Sequence, residues 1–111
     1  MLVNLAFLYL GSDQPEAALR TLDEAVRRAP SEASTNRLFQ LDLARARASA
    51  WSALGNAQQA IAEEEAATRI APERIDLWRE LATLYELNGR TNEAIQARNR
   101  AETLQAQQTG N

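Results

Sequence analysis

Laid over itself so that Leu41 meets Ile75, the chain matches position after position. Asp42 falls on Asp76, Leu43 on Leu77, Arg45 on Arg79 and Ala48 on Ala82. The register continues through Ser49/Thr83, Trp51/Tyr85, Gly55/Gly89, Ala60/Ala94, Ile61/Ile95, Ala67/Ala101 and Ile70/Leu104. A fixed period of about 34 residues marks a stacked repeat, in which each unit buries its apolar face only by packing on the next. Stacking generates an extended concave face, so it steers function toward binding and away from an enclosed catalytic pocket.

Composition narrows the chemistry. The chain has 111 residues with only four Gly and three Pro, which suits close-packed helices in one domain. There is no cysteine and no histidine. That removes thiol nucleophiles, zinc thiolate sites, the commonest general base and the commonest metal ligand. All twelve basic residues are arginine, so no lysine can form a Schiff base. This usage suggests a bacterial coding sequence. The net charge of −3 is spread evenly along the chain, and no basic face for nucleic acid stands out. The apolar run Leu2–Leu10 is too short to cross a bilayer. It has no basic flank or cleavage site and is read as a core helix, with no membrane insertion. The residues do not fix a compartment.

Helical periodicity, broken by Gly11, Gly55, Asn88-Gly89, Pro30 and Pro72, predicts six helices near 2–10, 14–28, 35–54, 57–70, 74–87 and 91–106. Asp13, Asn56 and Thr91 offer starts for the second helix of each pair. Short connections make sequential helices antiparallel neighbours. Ala6 with Ala18, Ala48 with Ala60 and Ala82 with Ala94 fall where backbones must approach, and Tyr9, Trp51 and Tyr85 fill the gap a turn away.

At Trp78-x-x-Leu81-Ala82-x-x-Tyr85, followed by Ala94 and Ala101, the pattern resembles the tetratricopeptide repeat. The middle unit keeps Ala48, Trp51, Gly55, Ala60, Ala67 and Pro72 in the same frame. The first keeps Leu2, Leu5, Ala6, Tyr9, Ala18, Leu22, Ala25 and Pro30. The resemblance implies an all-α solenoid of three antiparallel helix-turn-helix units in a right-handed superhelix. Its units fall at about 1–30, 31–72 and 73–106, with a polar, disordered tail at 107–111.

The register also has defects. One period before Pro72 stands Leu38, yet the proline that matches it is Pro30, an excess of eight (38 − 30). The excess lies in Ser31–Gln40, which is either a loop or an extension of the next helix capped by Thr35. In the second case Leu38 and Phe39 project beyond the stack as an extra partner surface. Ala44 and Arg47 replace the Trp and Leu of the third unit, and Glu64 and Arg98 occupy a position that is usually large and apolar. The first helix begins as though a longer array had been cut there. Its apolar residues exceed what one neighbour can cover, so it is expected to dock on an upstream repeat or to form a homo-oligomer.

The resemblance implies that the first helices of each pair line a concave groove. The groove residues would be Asn4, Phe7 and Leu8, then Asp42, Arg45, Ser49 and Ser52, then Asp76, Arg79, Thr83 and Glu86. Arg45 and Arg79 would form a ladder, each with an Asp three residues earlier. Such arginines can hold carboxylates or carbonyls of an extended peptide. Alternatively they are surface ion pairs worth about 0.2–0.5 kcal/mol. A subclass of the family grips chaperone tails with Lys, Asn and Arg from three first helices. The corresponding Val3, Phe7, Ala46, Asp76 and Glu80 carry none of these donors.

Glu63-Glu64-Glu65 is the only charge run, and consecutive helical residues point about 100° apart. The run therefore reads as a solvated convex face, not a metal site. No nucleophile–base pair or phosphate-binding glycine loop is present. The expectation is a protein or peptide partner bound in the groove, with no catalytic residues, cofactor, metal or nucleic acid. An architectural or self-association role in a larger bacterial protein is the alternative.

Overall fold

The computed structural model describes residues 2–109. The described residues form seven helices: α1 (Leu2–Gly11), α2 (Pro15–Arg28), α3 (Pro30–Thr35), α4 (Arg37–Ala53), α5 (Ala57–Ile70), α6 (Ile75–Leu87) and α7 (Thr91–Thr109). The pairs α1–α2, α4–α5 and α6–α7 are hairpins, joined where α2 packs on α4 and α5 on α6. This is the three-hairpin solenoid that the register predicts.

All three hairpins close in the same way. The carbonyls of Tyr9, Trp51 and Tyr85 accept from the backbone N–H of Gln14, Asn56 and Arg90 at 2.8, 2.9 and 2.9 Å. Closing a helix so tightly needs a residue in the left-handed region, which glycine enters without steric cost. Gly55 (φ 77°) and Gly89 (φ 74°) do this in the second and third hairpins. In the first hairpin the residue is Asp13 (φ 60°), not Gly11, which is still helical. Asp13 stands as far before Gly55 as Pro30 stands before Pro72, so the first turn keeps its place within its own repeat.

The core runs along the stack as a series of clusters, each shared by neighbouring helices. Val3, Ala6, Ala18, Leu22, Ala25, Leu43 and Ala46 join α1, α2 and α4. Leu41, Ala44, Ala67, Ala71 and Leu77 join α4, α5 and α6. Ile61, Leu81, Ala82, Tyr85, Ala94 and Ala97 join α5, α6 and α7. The alanines predicted at the close approaches are all buried, and among the large side chains of the described residues only Leu22 and Leu77 are fully so. The stack thus depends on close helix approach, with little bulky filling.

The eight-residue excess is neither a loop nor a straight extension of α4. Pro30 opens the short helix α3, and Asn36, in extended conformation, breaks it from α4. Asn36, not Thr35, caps α4: its side chain accepts from the Phe39 N–H at 3.0 Å, while the Thr35 hydroxyl bonds back to the Ser31 carbonyl. The start of α4 does not project freely. Arg37 donates to the Ile70 carbonyl at 2.9 Å and pairs with Glu73 at 2.6 Å, fastening α4 to the α5–α6 turn. Leu38 is 66% exposed, whereas Phe39 is half-buried against the first cluster. The last helix continues past 106 to Thr109, with Thr109 back-bonding to the Gln105 carbonyl. Residues 110 and 111 of the expected tail lie outside the described residues.

Candidate functional site: an acidic groove between α4 and α6

Helix α5 touches both α4 and α6, but α4 and α6 make no direct backbone contact with each other. Their separation leaves a groove of about 540 Å³, lined by Phe7 of α1, Arg45, Ala48, Ser49 and Ser52 of α4, Glu64 of α5, and Glu80, Thr83 and Leu84 of α6. The α4 residues lie at i, i+3, i+4 and i+7, one face of a helix. Alanine and serine keep that face low, so the space remains open.

Of the groove residues predicted from sequence, Phe7, Arg45, Ser49, Ser52 and Thr83 come together here. Asn4 and Leu8 are exposed on α1, and Asp42 is exposed on α4. Asp76 lies at the edge, where its carboxylate takes Arg74 at 2.6 Å and Arg45 at 3.9 Å. The Arg74 guanidinium beside it holds the Asp76 carboxyl below the usual range, with Arg45 adding to the effect. Arg79 turns the other way, donating to the side-chain oxygen of Gln105 on α7, and Glu86 pairs with Arg98. Arg79 lines a separate depression of about 330 Å³ with Thr83, Arg98 and Glu102.

The two arginines therefore do not form a ladder in one groove. Arg45 approaches Glu80 at 3.6 Å and Asp76 at 3.9 Å, both across the helix interface. Groups on a facing helix have won over the Asp42 three residues earlier.

The sequence pattern misplaced Glu64. It is 4% exposed, and its Oε2 has no hydrogen-bond partner among the described residues. Burial, and then the neighbouring Glu80 carboxylate, push its pKa up from 4.5 to about 8, against a smaller opposing effect of Arg45. A buried carboxyl without a compensating cation takes up a proton, because the charged form loses more hydration than the neutral form. The rest of the run is not a solvated face either. Glu63 is half-buried and its pKa is raised by desolvation. Glu65 accepts from the Tyr85 hydroxyl, and Arg90 lies 4.8 Å above the Tyr85 ring. The available signal was positional: residue 64 stands where repeats of this kind carry a large apolar side chain.

Among the described residues, no group of three or more His, Cys, Asp or Glu is arranged to hold a metal ion. Among the described residues, no helix is long and apolar enough to cross a membrane.

Stacked hairpins with a groove across successive first helices define a tetratricopeptide-like helical-repeat protein. The solved structure titled "MamA RS-1 ArsTM double mutant", of that type, matches with a TM-score of 0.76 at 18% identity. The match covers 96% of this chain and 55% of that one, so this chain spans about half of its length. The family itself is shown by sequence. The model of the bacterial transcriptional activator domain matches residues 16–110, and the chain belongs to that family. The matched range opens inside α2 and leaves α1 outside it. No curated protein matches the chain.

Proposed function

We propose that this chain is a protein-interaction module that works by binding and not by catalysis, and that a partner peptide or helix occupies the α4–α6 groove. The observation that carries this reading is the groove itself: open, walled by helices of all three hairpins, with apolar Phe7 and Leu84 beside charged Arg45 and Glu80. Mixed lining of this kind gives a bound segment both contact area and orientation. The family description supports a role within a bacterial transcriptional activator, where the bound segment would belong to another part of the activator or to its partner. The test is selection of displayed peptides on the wild-type chain, followed by counter-screening on Ser49→Trp, which fills the groove from an exposed position. Selected peptides should lose at least about tenfold in affinity, or about 1.4 kcal/mol, with helicity unchanged by circular dichroism. Binders that ignore Ser49→Trp would refute the groove as the site.

A self-association role is favoured by a separate observation on α1. Leu5, Phe7 and Leu8 are 38%, 43% and 68% exposed, an apolar strip on one short helix. Sedimentation should show concentration-dependent dimers that Leu8→Glu abolishes. A monomer at all concentrations would exclude this role.

A further inference from the structure

We propose that the floor of the groove is a subsite for one positively charged side chain, an arginine of the bound segment, received between Glu64 and Glu80. The proposal rests on the groove reading above and adds the chemistry of what enters. Glu64 is buried, borders the open groove, and has a carboxylate oxygen with no partner among the described residues. Such an atom is costly unless a donor reaches it.

The surrounding charges leave room for one cation. From α6, Asp76 is already paired with Arg74 at 2.6 Å, and Glu80 has Arg45 at 3.6 Å. From α4, Arg45 is the only cation lining the groove among the described residues, and it sits beyond hydrogen-bonding distance of both acids. On α5 itself, Glu63 interacts with Arg47 and Glu65 with Tyr85, so neither competes for the site. Of these carboxyls, Glu64 is the one with a buried oxygen that no donor reaches among the described residues, Arg45 acting on it only at longer range. A guanidinium fits because its planar fork can donate to two carboxylates at once, while Phe7 and Leu84 cover its apolar stem.

Binding then displaces a proton. In the free protein Glu64 is protonated near neutral pH, and an entering guanidinium favours the carboxylate. The O–H bond of Glu64 breaks, the proton passes to solvent, and the two N–H···O contacts replace it. Affinity must therefore rise with pH up to about 8, where Glu64 ionises unaided.

The probe is acetyl-leucyl-arginyl-leucinamide, titrated into the full chain and followed by amide chemical shifts. Its comparator carries citrulline, which has the same shape without the charge. The arginine peptide should shift Ala48, Ser49 and Thr83 and bind more tightly by up to about tenfold per pH unit between pH 6 and 7.5. The citrulline peptide should bind more weakly and without pH dependence. Glu64→Gln, isosteric with the protonated acid, should keep the fold and remove both the preference and the pH dependence. Glu80→Gln should weaken the preference and lower the pH at which binding saturates. Equal binding of the two peptides would overturn the cation subsite while leaving the groove reading intact. Shifts at none of these residues with either peptide would count against both. An arginine preference that persists unchanged in Glu64→Gln would remove Glu64 from the proposal.

Discussion

Glu64 and Arg98 occupy the same position of consecutive repeats, and their surroundings are opposite. Both stand halfway along the second helix of a hairpin. Glu64 is covered by α6 and buried at the floor of the groove, with a carboxylate oxygen that no donor reaches among the described residues. Arg98 lies on α7, exposed, and pairs with Glu86 on its own hairpin partner. The difference comes from stacking: α5 packs on its own hairpin partner α4 and also on α6 of the next hairpin, whereas the backbone of α7 packs only on that of α6 among the described residues. One position in a repeat thus acquires different chemistry from the number of neighbours it is given.

The largest test of that comparison is packing. Leu77 is fully buried in the cluster between α4, α5 and α6, so Leu77→Ala should cost about 2–5 kcal/mol in urea unfolding. Leu104→Ala, on the singly covered α7, should fall at the lower end of that range. Equal losses would mean that the two hairpins are equally supported.

Next is the titration of Glu64. Its folded pKa of about 8 lies above its ordinary 4.5, so its favourable contribution is complete below about pH 4.5 and is lost as pH rises through 8. Stability should fall by on the order of 2–4 kcal/mol between pH 5 and 9 relative to Glu64→Gln. The chain has no histidine, and the difference between the two proteins cancels the terminal amine. Arg98→Gln should show no such dependence. A flat difference curve for Glu64→Gln would mean that water reaches this carboxyl.

The hairpin turns give a smaller effect. Gly55→Ala and Gly89→Ala should each cost about 1 kcal/mol, because an added Cβ is strained at positive φ even where nothing crowds it. Smallest is the surface pair. Arg98→Ala should change stability by less than about 0.5 kcal/mol, as exposed ion pairs do. A larger loss would show that α7 is held by this contact and not by its alanines.

The hairpins were readable in the sequence because period and packing impose the same pattern. Alanine at 48, 60, 82 and 94 admits close backbones, and glycine at 55 and 89 ends helices. The break at Asn36 was not readable, since Thr35, Asn36 and the residues around them all suit a cap and only tertiary fastening by Arg37 selects one. At the site, the pattern brought Phe7, Arg45, Ser49, Ser52 and Thr83 to one groove. It missed the direction of Arg79 and the burial of Glu64. Both depend on contacts between helices, which periodicity within one helix does not encode. The sequence resemblance to tetratricopeptide repeats anticipated the fold, while the family the chain belongs to emerged only from the match over residues 16–110.

Because the backbones of α4 and α6 are held apart by α5 and meet only through side chains, the width of the groove is set from behind. A substitution at Ala60 or Ala67, both sealed in helix contacts away from the opening, would spread or narrow the cleft without touching a lining residue. The shape of such a groove can therefore drift through its spine while the residues that line it stay unchanged in sequence.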